Sequence, residues 1–317
     1  MTRSRSGNTR LLVRVAIYLV VVAVLYHVRG GVDWRHFMHR IPGFATADST
    51  FILAGSDLAP ELVRHLKAHY RRDYPELDIR IQDGGSSHAL EALVNGRADV
   101  AFLNRQPSPR EQELFRSVDG DTALWYPIAL GGILLIQGEK RTISSLSLDD
   151  LRHFLRGERE LHCDHFYVPD PNLGLWDAFL SSLDMPLEVS TAETRVIFLK
   201  DETEVLAAVQ NDKFSLGLIS SLTSTVDWAQ SSVGSVSIQT TAGQKPIPAT
   251  YENVASGDYP LFHYLYVSCR SRGGIQGTKF VTHVTSDRGQ RQIERAGFLP
   301  ARLVLREIYL TKHPIGQ

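Results

Sequence analysis

Cysteine is scarce in this chain: Cys163 and Cys269 are the only two in 317 residues. Two thiols cannot build a disulfide scaffold or a four-cysteine zinc site. Also missing are a Walker loop, a dinucleotide fingerprint and any set of nucleophile, base and acid. The sequence therefore supports no enzyme activity and asks for no cofactor. It has no internal repeat and no low-complexity stretch, and its composition excludes a collagen-like fibre. Neither sign of charge dominates, with 34 Lys and Arg against 35 Asp and Glu. What is present, 43% hydrophobic and 22% charged residues, is the composition of a folded globular chain. The length suits two domains of ordinary size and the composition excludes a multi-span transporter.

The even balance hides an asymmetry. Residues 1–47 hold seven arginines and one acid, Asp33, so 48–317 carries 27 basic and 34 acidic residues. A body with that excess of acid has no general attraction for nucleic acid. Residues 15–28 (VAIYLVVVAVLYHV) are apolar, and four arginines precede them without an acid. This is the basic and hydrophobic pair of an export signal. No small-x-small cleavage site follows closely, since Ala45-Thr46-Ala47 comes well after the run, and no cysteine follows it to carry a lipid. We read 1–14 as a cytoplasmic basic tail, 15–28 as an uncleaved signal anchor and 29–47 as a tether. The expected location is the bacterial inner membrane, single-pass, with the body in the periplasm, or free in the periplasm if the signal is cleaved.

From residue 48 the chain alternates short apolar runs with helical spacing. Thr50 to Ala54 predicts a buried strand, and Leu58, Leu62, Val63, Leu66 and Tyr70 predict a helix capped by Ser56 or Asp57. Ser108-Pro109-Arg110-Glu111 is a capping box with proline at the first helical position. Ala123 to Gln137 reads as two strands broken at Gly131-Gly132, and Lys279 to Ala296 as one helix. Elements of these lengths in alternation predict an α/β fold with largely parallel sheets.

Two strand-to-helix junctions end in glycine and serine, Gly55-Ser56 and Gly84-Gly85-Ser86-Ser87. Free N–H groups, the positive end of a helix dipole and serine hydroxyls are the chemistry that holds a small oxyanion. Such residues are also ordinary helix caps. His162-Cys163-Asp164-His165 gathers possible metal ligands but matches no zinc spacing, so an ordinary strand is expected and no metal site.

Five segments in order carry a family resemblance: Ile52 to Pro60, Asp83 to Arg105, Ile143 to Gly157, Phe214 to Ser220, and the closing set Tyr251 to Leu261, Ser286 to Gln290 and Gly297 to Pro300. Together they resemble the phosphate-binding proteins of ABC importers, and more broadly class II periplasmic binding proteins. The resemblance implies a two-lobed α/β fold with mixed, mainly parallel sheets flanked by helices and a ligand cleft between the lobes. One lobe would be 48–130 with 255–310, the other 131–254. It implies a phosphate-like oxyanion as ligand, an ABC permease or other inner-membrane or envelope protein as partner, and no catalysis. Carried onto this chain, the site would comprise Ser56, Asp57, Ser86, Ser87, Asn104, Arg105 and Gly174.

The chain departs from the family pattern in three places, one of them Phe262-His263, where the family has Ser-Arg after Tyr-Pro-Leu. Asp57 puts a carboxylate where a hydroxyl is expected, and a carboxylate repels a dianion unless it turns away as a cap. In the turn from the second lobe, Pro169, Leu173 and Leu175 replace the family's Arg, Ser and Thr, while Gly174 and Phe179 remain. The resemblance therefore also admits a repurposed module that has lost phosphate and serves as an envelope interaction or sensor domain.

Overall fold

The computed structural model of the chain describes residues 50–119, 124–139, 143–161, 163–186, 195–222, 233–270 and 275–302. The basic tail, the apolar run at 15–28 and the tether lie outside these residues. Among the described residues no helix is long and apolar enough to cross a membrane.

Strand β1 (Thr50–Ala54) leads through a 3-10 turn at Ser56–Leu58 into helix α1 (Pro60–Asp73). The expected cap at Ser56 or Asp57 is not found. Ala59 occupies the N-cap without a side-chain bond, and Pro60 has no N–H to leave unpaired. Helix α1 buries Leu62, Val63, Leu66 and Tyr70, the stripe its spacing predicts. Then follow β2 (Asp78–Gln82), α2 (Gly85–Val94), β3 (Val100–Leu103) and α3 (Pro109–Asp119). The capping box at α3 forms as predicted: Glu111 N–H donates to Ser108 Oγ and Ser108 N–H to Glu111 Oε2.

Strand β4 (Tyr126–Gln137) runs unbroken through Gly131 and Gly132, which corrects the two-strand expectation. The glycines mark crowding rather than a turn. A Cβ on Gly131 would lie 2.6 Å from Leu222 and 3.0 Å from His263. Next come β5 (Ser145–Ser147), α4 (Leu148–Leu155), β6 (His165–Pro169), a 3-10 turn at Pro171–Leu173, and α5 (Leu175–Ser182). Strands β7 (Val196–Leu199) and β8 (Ser215–Ser220) flank α6 (Glu202–Asn211). The short strands β9 (Gly234–Ser235) and β10 (Ser237–Gln239), then α7 (Tyr251–Ser256), precede β11 (Phe262–Cys269). The predicted single C-terminal helix is two, α8 (Ile275–Thr285) and α9 (Asp287–Arg295). Ser286 divides them by accepting the Gly289 N–H on its hydroxyl, a new N-cap inside the periodic run. A last short strand, β12 (Leu299–Pro300), pairs with β4.

Among the described residues the main sheet runs β2-β1-β3-β11-β4-β8-β6-β7. Both ends are parallel, β2-β1-β3 and β8-β6-β7. The centre is antiparallel, since β11 returns between β3 and β4 and β4 pairs with β8. Each end has its own core. Phe51, Leu62, Tyr70, Phe102 and Phe280 pack at one, and Phe154, Phe166, Trp176, Phe179 and Leu218 at the other. Parallel strand ends and helix starts from the two halves thus face each other across the sheet's centre.

His162 lies outside the described residues. His165 places Nδ1 2.8 Å from Asp212 Oδ2, and no group of three metal-ligating side chains occurs among the described residues. Burial pushes the Cys163 thiol up to about 11, and it forms no disulfide with Cys269.

Candidate functional site

Helix α2 begins at Gly85, so Ser86 and Ser87 belong to its first turn rather than to the loop before it. The first two N–H groups at this end are occupied by one side chain. Gly84 N–H donates to Asp57 Oδ2 at 3.1 Å, and Gly85 N–H donates to both Asp57 oxygens at 3.1 and 3.0 Å. Asp57 therefore neither caps its own helix nor turns away. Its carboxylate sits where free amides and a helix dipole favour an oxyanion. Ser56 lies beside it in the 3-10 turn, and Ser87 is half-buried next to Ser86.

Ser86 joins the two halves of the molecule. Its hydroxyl donates to the Leu173 carbonyl at 2.9 Å and accepts the Asn104 N–H at 3.0 Å. Leu173 precedes Gly174, which adopts a left-handed conformation (φ 86°) at the start of α5. A Cβ at Gly174 would overlap Ser86 Oγ, so only glycine allows this approach. The Pro169–Leu175 turn thus reaches Ser86 with a carbonyl, an acceptor, where the resemblance leads one to expect donors.

Arg105 follows Asn104 at the end of β3 and is 11% exposed in its side chain. Nη1 and Nη2 donate to Glu111 at 2.7 and 2.8 Å, and Nε lies 2.8 Å from Asp177 Oδ2 on α5. Burial raises the Glu111 carboxyl, but hydrogen bonds from Arg105 and Ser108 outweigh it and hold the group below the usual range. Burial dominates at Asp177 and pushes its carboxyl up despite Arg105. Two carboxylates share one guanidinium, which leaves little positive charge for a ligand. Neither Glu111 nor Asp177 stands out in the sequence as a site residue, because one completes a capping box and the other opens a helix.

His263, on β11, lies behind Asn104. Its Nε2 is 2.6 Å from Ser220 Oγ, which in turn accepts the Leu222 N–H at 3.0 Å. Burial pushes the ring down to about 4, and the neighbouring Asn104 carbonyl offsets this only in part. Between the ordinary histidine value of 6.5 and that lowered value, the folded state binds fewer protons than the unfolded chain. Stability therefore falls as pH drops through this window, by up to about 1.4 kcal/mol per pH unit. Denaturant midpoints compared near neutral pH and near pH 5 should show the loss, and His263→Gln should flatten it.

With this geometry in place, comparison with known proteins is informative. A family model described as a PBP superfamily domain matches residues 42–288. The chain belongs to the PBP superfamily. Two curated relatives are both named phosphate-binding protein PstS. The one from Pseudomonas aeruginosa PAO1 is 21% identical over 262 residues, covering 78% of this chain and 81% of its own. The one from Bacillus subtilis 168 is 20% identical over 261 residues, covering 81% and 83%. Among solved structures, a putative phosphate ABC transporter substrate-binding protein with bound phosphate from Clostridium perfringens has a TM-score of 0.65 at 19% identity, over 80% of this chain and all of that one. An ABC-type phosphate transport receptor from Vibrio cholerae has a TM-score of 0.60 at 18% identity, over 78% and 99%. These named relatives are binding proteins, and the expected two-lobed PBP fold is present.

The structure brings Asp57, Ser86, Asn104 and Gly174 together at the start of α2. Arg105 reaches the opposite half through Asp177 instead of pointing a free charge at that position. The Leu173 carbonyl and the Asp57 bridge were invisible in the sequence, because both partners are far apart along the chain.

Proposed function

We propose that this chain is an extracytoplasmic, membrane-tethered receptor for a small oxyanion, with phosphate the first candidate. The observation that carries the reading is the Asp57 carboxylate, held by the N–H groups of Gly84 and Gly85. An oxyanion is the chemistry this position accepts. Phosphate would take the same amides by expelling Asp57, with the Ser86 hydroxyl released from Leu173. The phosphate-binding names of the relatives support the choice of anion. We take 48–130 with 255–310 as one lobe and 131–254 as the other, moving about β4 and β11 by hinge motion. The apolar run at 15–28 would hold the body at the inner membrane, where an ABC permease is the fitting partner.

Calorimetric titration of the full-length protein with phosphate, with sulfate beside it, tests the reading. Phosphate should bind in the micromolar range, and Ser86→Ala should weaken it about tenfold. No heat with either anion would sink the receptor reading.

A second reading is favoured by the paired Arg105 and by the carbonyl that Leu173 turns toward Ser86. In it Asp57 is the permanent occupant, and the domain serves as an envelope interaction or sensor module.

A further inference from the structure

Beside the start of α2, between β3, α5 and β11, lies a cavity of about 510 Å³ whose lining includes Asn104, Arg105, Asp177, Phe262, Tyr264 and Tyr266. A five-atom oxyanion fills a small part of that space. Cavities of this size hold organic ligands.

Two features of the walls say what kind. The first is Asn104, which is 1% exposed. Its backbone N–H bonds Ser86, yet neither Nδ2 nor Oδ1 has a hydrogen-bond partner among the described residues. A buried amide left this way is costly unless a ligand answers it. It offers one donor and one acceptor side by side, the pattern with which an Asn side chain reads the edge of a purine. The second feature is β11. Its buried positions His263, Leu265 and Val267 alternate with Phe262, Tyr264 and Tyr266, so the opposite face is aromatic at each step. Ring centroids are 6.0 Å apart from Phe262 to Tyr264 and again from Tyr264 to Tyr266. Neighbouring rings meet edge-on, at 86° and 63°, so a planar base can stack on one of them rather than on a continuous platform. Arg105 is already matched by Asp177 and Glu111, so this wall offers no free positive charge to the part that enters.

We propose that the ligand of this cleft is a phosphomonoester carrying a planar nitrogen heterocycle. Its phosphoryl group takes the amides of Gly84 and Gly85, and its ring enters the cavity against Asn104 and the Tyr264 face. The phosphoryl half rests on the oxyanion reading above, while the ring half stands on the cavity alone.

The test is calorimetric titration of the full-length protein with AMP, adenosine, glucose 6-phosphate and inorganic phosphate in parallel. AMP should bind at least about tenfold more tightly than phosphate. Tyr264→Ala, at a half-buried position, should cut the ratio of AMP to phosphate affinity about tenfold, and Asn104→Leu should do the same. Because the readout is a ratio within each variant, a general loss of folded protein does not imitate it. Phosphate and AMP binding with equal affinity would overturn the proposal and leave the oxyanion reading standing. Glucose 6-phosphate binding as tightly as AMP would overturn the heterocycle. Adenosine binding where phosphate and AMP do not would overturn the phosphoryl half and the oxyanion reading with it. Silence from all four would overturn both.

Discussion

Asp57→Ala should tighten phosphate binding by about tenfold or more. The carboxylate makes three charge-assisted contacts to two N–H groups, each worth on the order of 1.5–3 kcal/mol before competition is counted. An incoming anion must break them and then share the space with the displaced negative charge. The alanine variant removes both obstacles, whereas Asp57→Asn removes the charge but keeps a competing acceptor and should fall between. The same substitution deprives α2 of its cap and should lower the stability of the anion-free protein by about 1 kcal/mol. Calorimetry and denaturant titration on one preparation read the two effects with opposite signs. An unchanged phosphate affinity would show that the anion binds elsewhere or that Asp57 never leaves.

Arg105→Met should cost about 3 kcal/mol of stability, because it leaves Glu111 and Asp177 buried without their shared cation. The pH dependence follows from the directions of their shifts. Glu111 is held low, so its contribution is present above the ordinary carboxylate value and is lost as pH falls through the lowered one. Asp177 is held high, so protonation favours the folded protein as pH falls through the raised one. Without Arg105 the Glu111 carboxyl loses what holds it down and the Asp177 carboxyl rises further, and protonation relieves both. The deficit of the variant should therefore be largest at neutral pH and shrink below about pH 4. A deficit independent of pH would mean that Arg105 contributes through packing alone. Asp177→Asn should recover part of the loss in the Arg105→Met background and little in the wild type.

The order of segments makes the fold legible in the sequence, whereas the start of α2 at Gly85 lies earlier than a glycine-serine loop suggests. Local periodicity failed where a long-range neighbour decides the outcome. Gly131-Gly132 looks like a turn until Leu222 and His263 are seen packed over it. The run from Lys279 to Ala296 looks continuous until Ser286 is seen to bond Gly289. Asp57 stands out in the sequence as an anomaly of charge, but its partners are 27 and 28 residues away and no spacing rule reaches them. The aromatic alternation of β11 was present in the letters FHYLYVS as a strand signal. Only the cavity beside it turns that face into a candidate ligand wall.

Strand β4 has a mechanical consequence. Its first residues pair with β11 and β12 and its last with β8 and β9, so one backbone belongs to both ends of the sheet. The ends cannot be pulled apart like pages, because covalent chain carries the load between them. Any relative movement of the ends would have to twist β4, whose two sets of pairings meet at Gly131 and Gly132. Leu222, Val254 and His263 press on that point. Twisting the strand would shift all three, and Leu222 and Val254 also line a second cavity with Tyr251 and Phe298. A torque applied in the cleft would thus be delivered to the mouth of that other cavity.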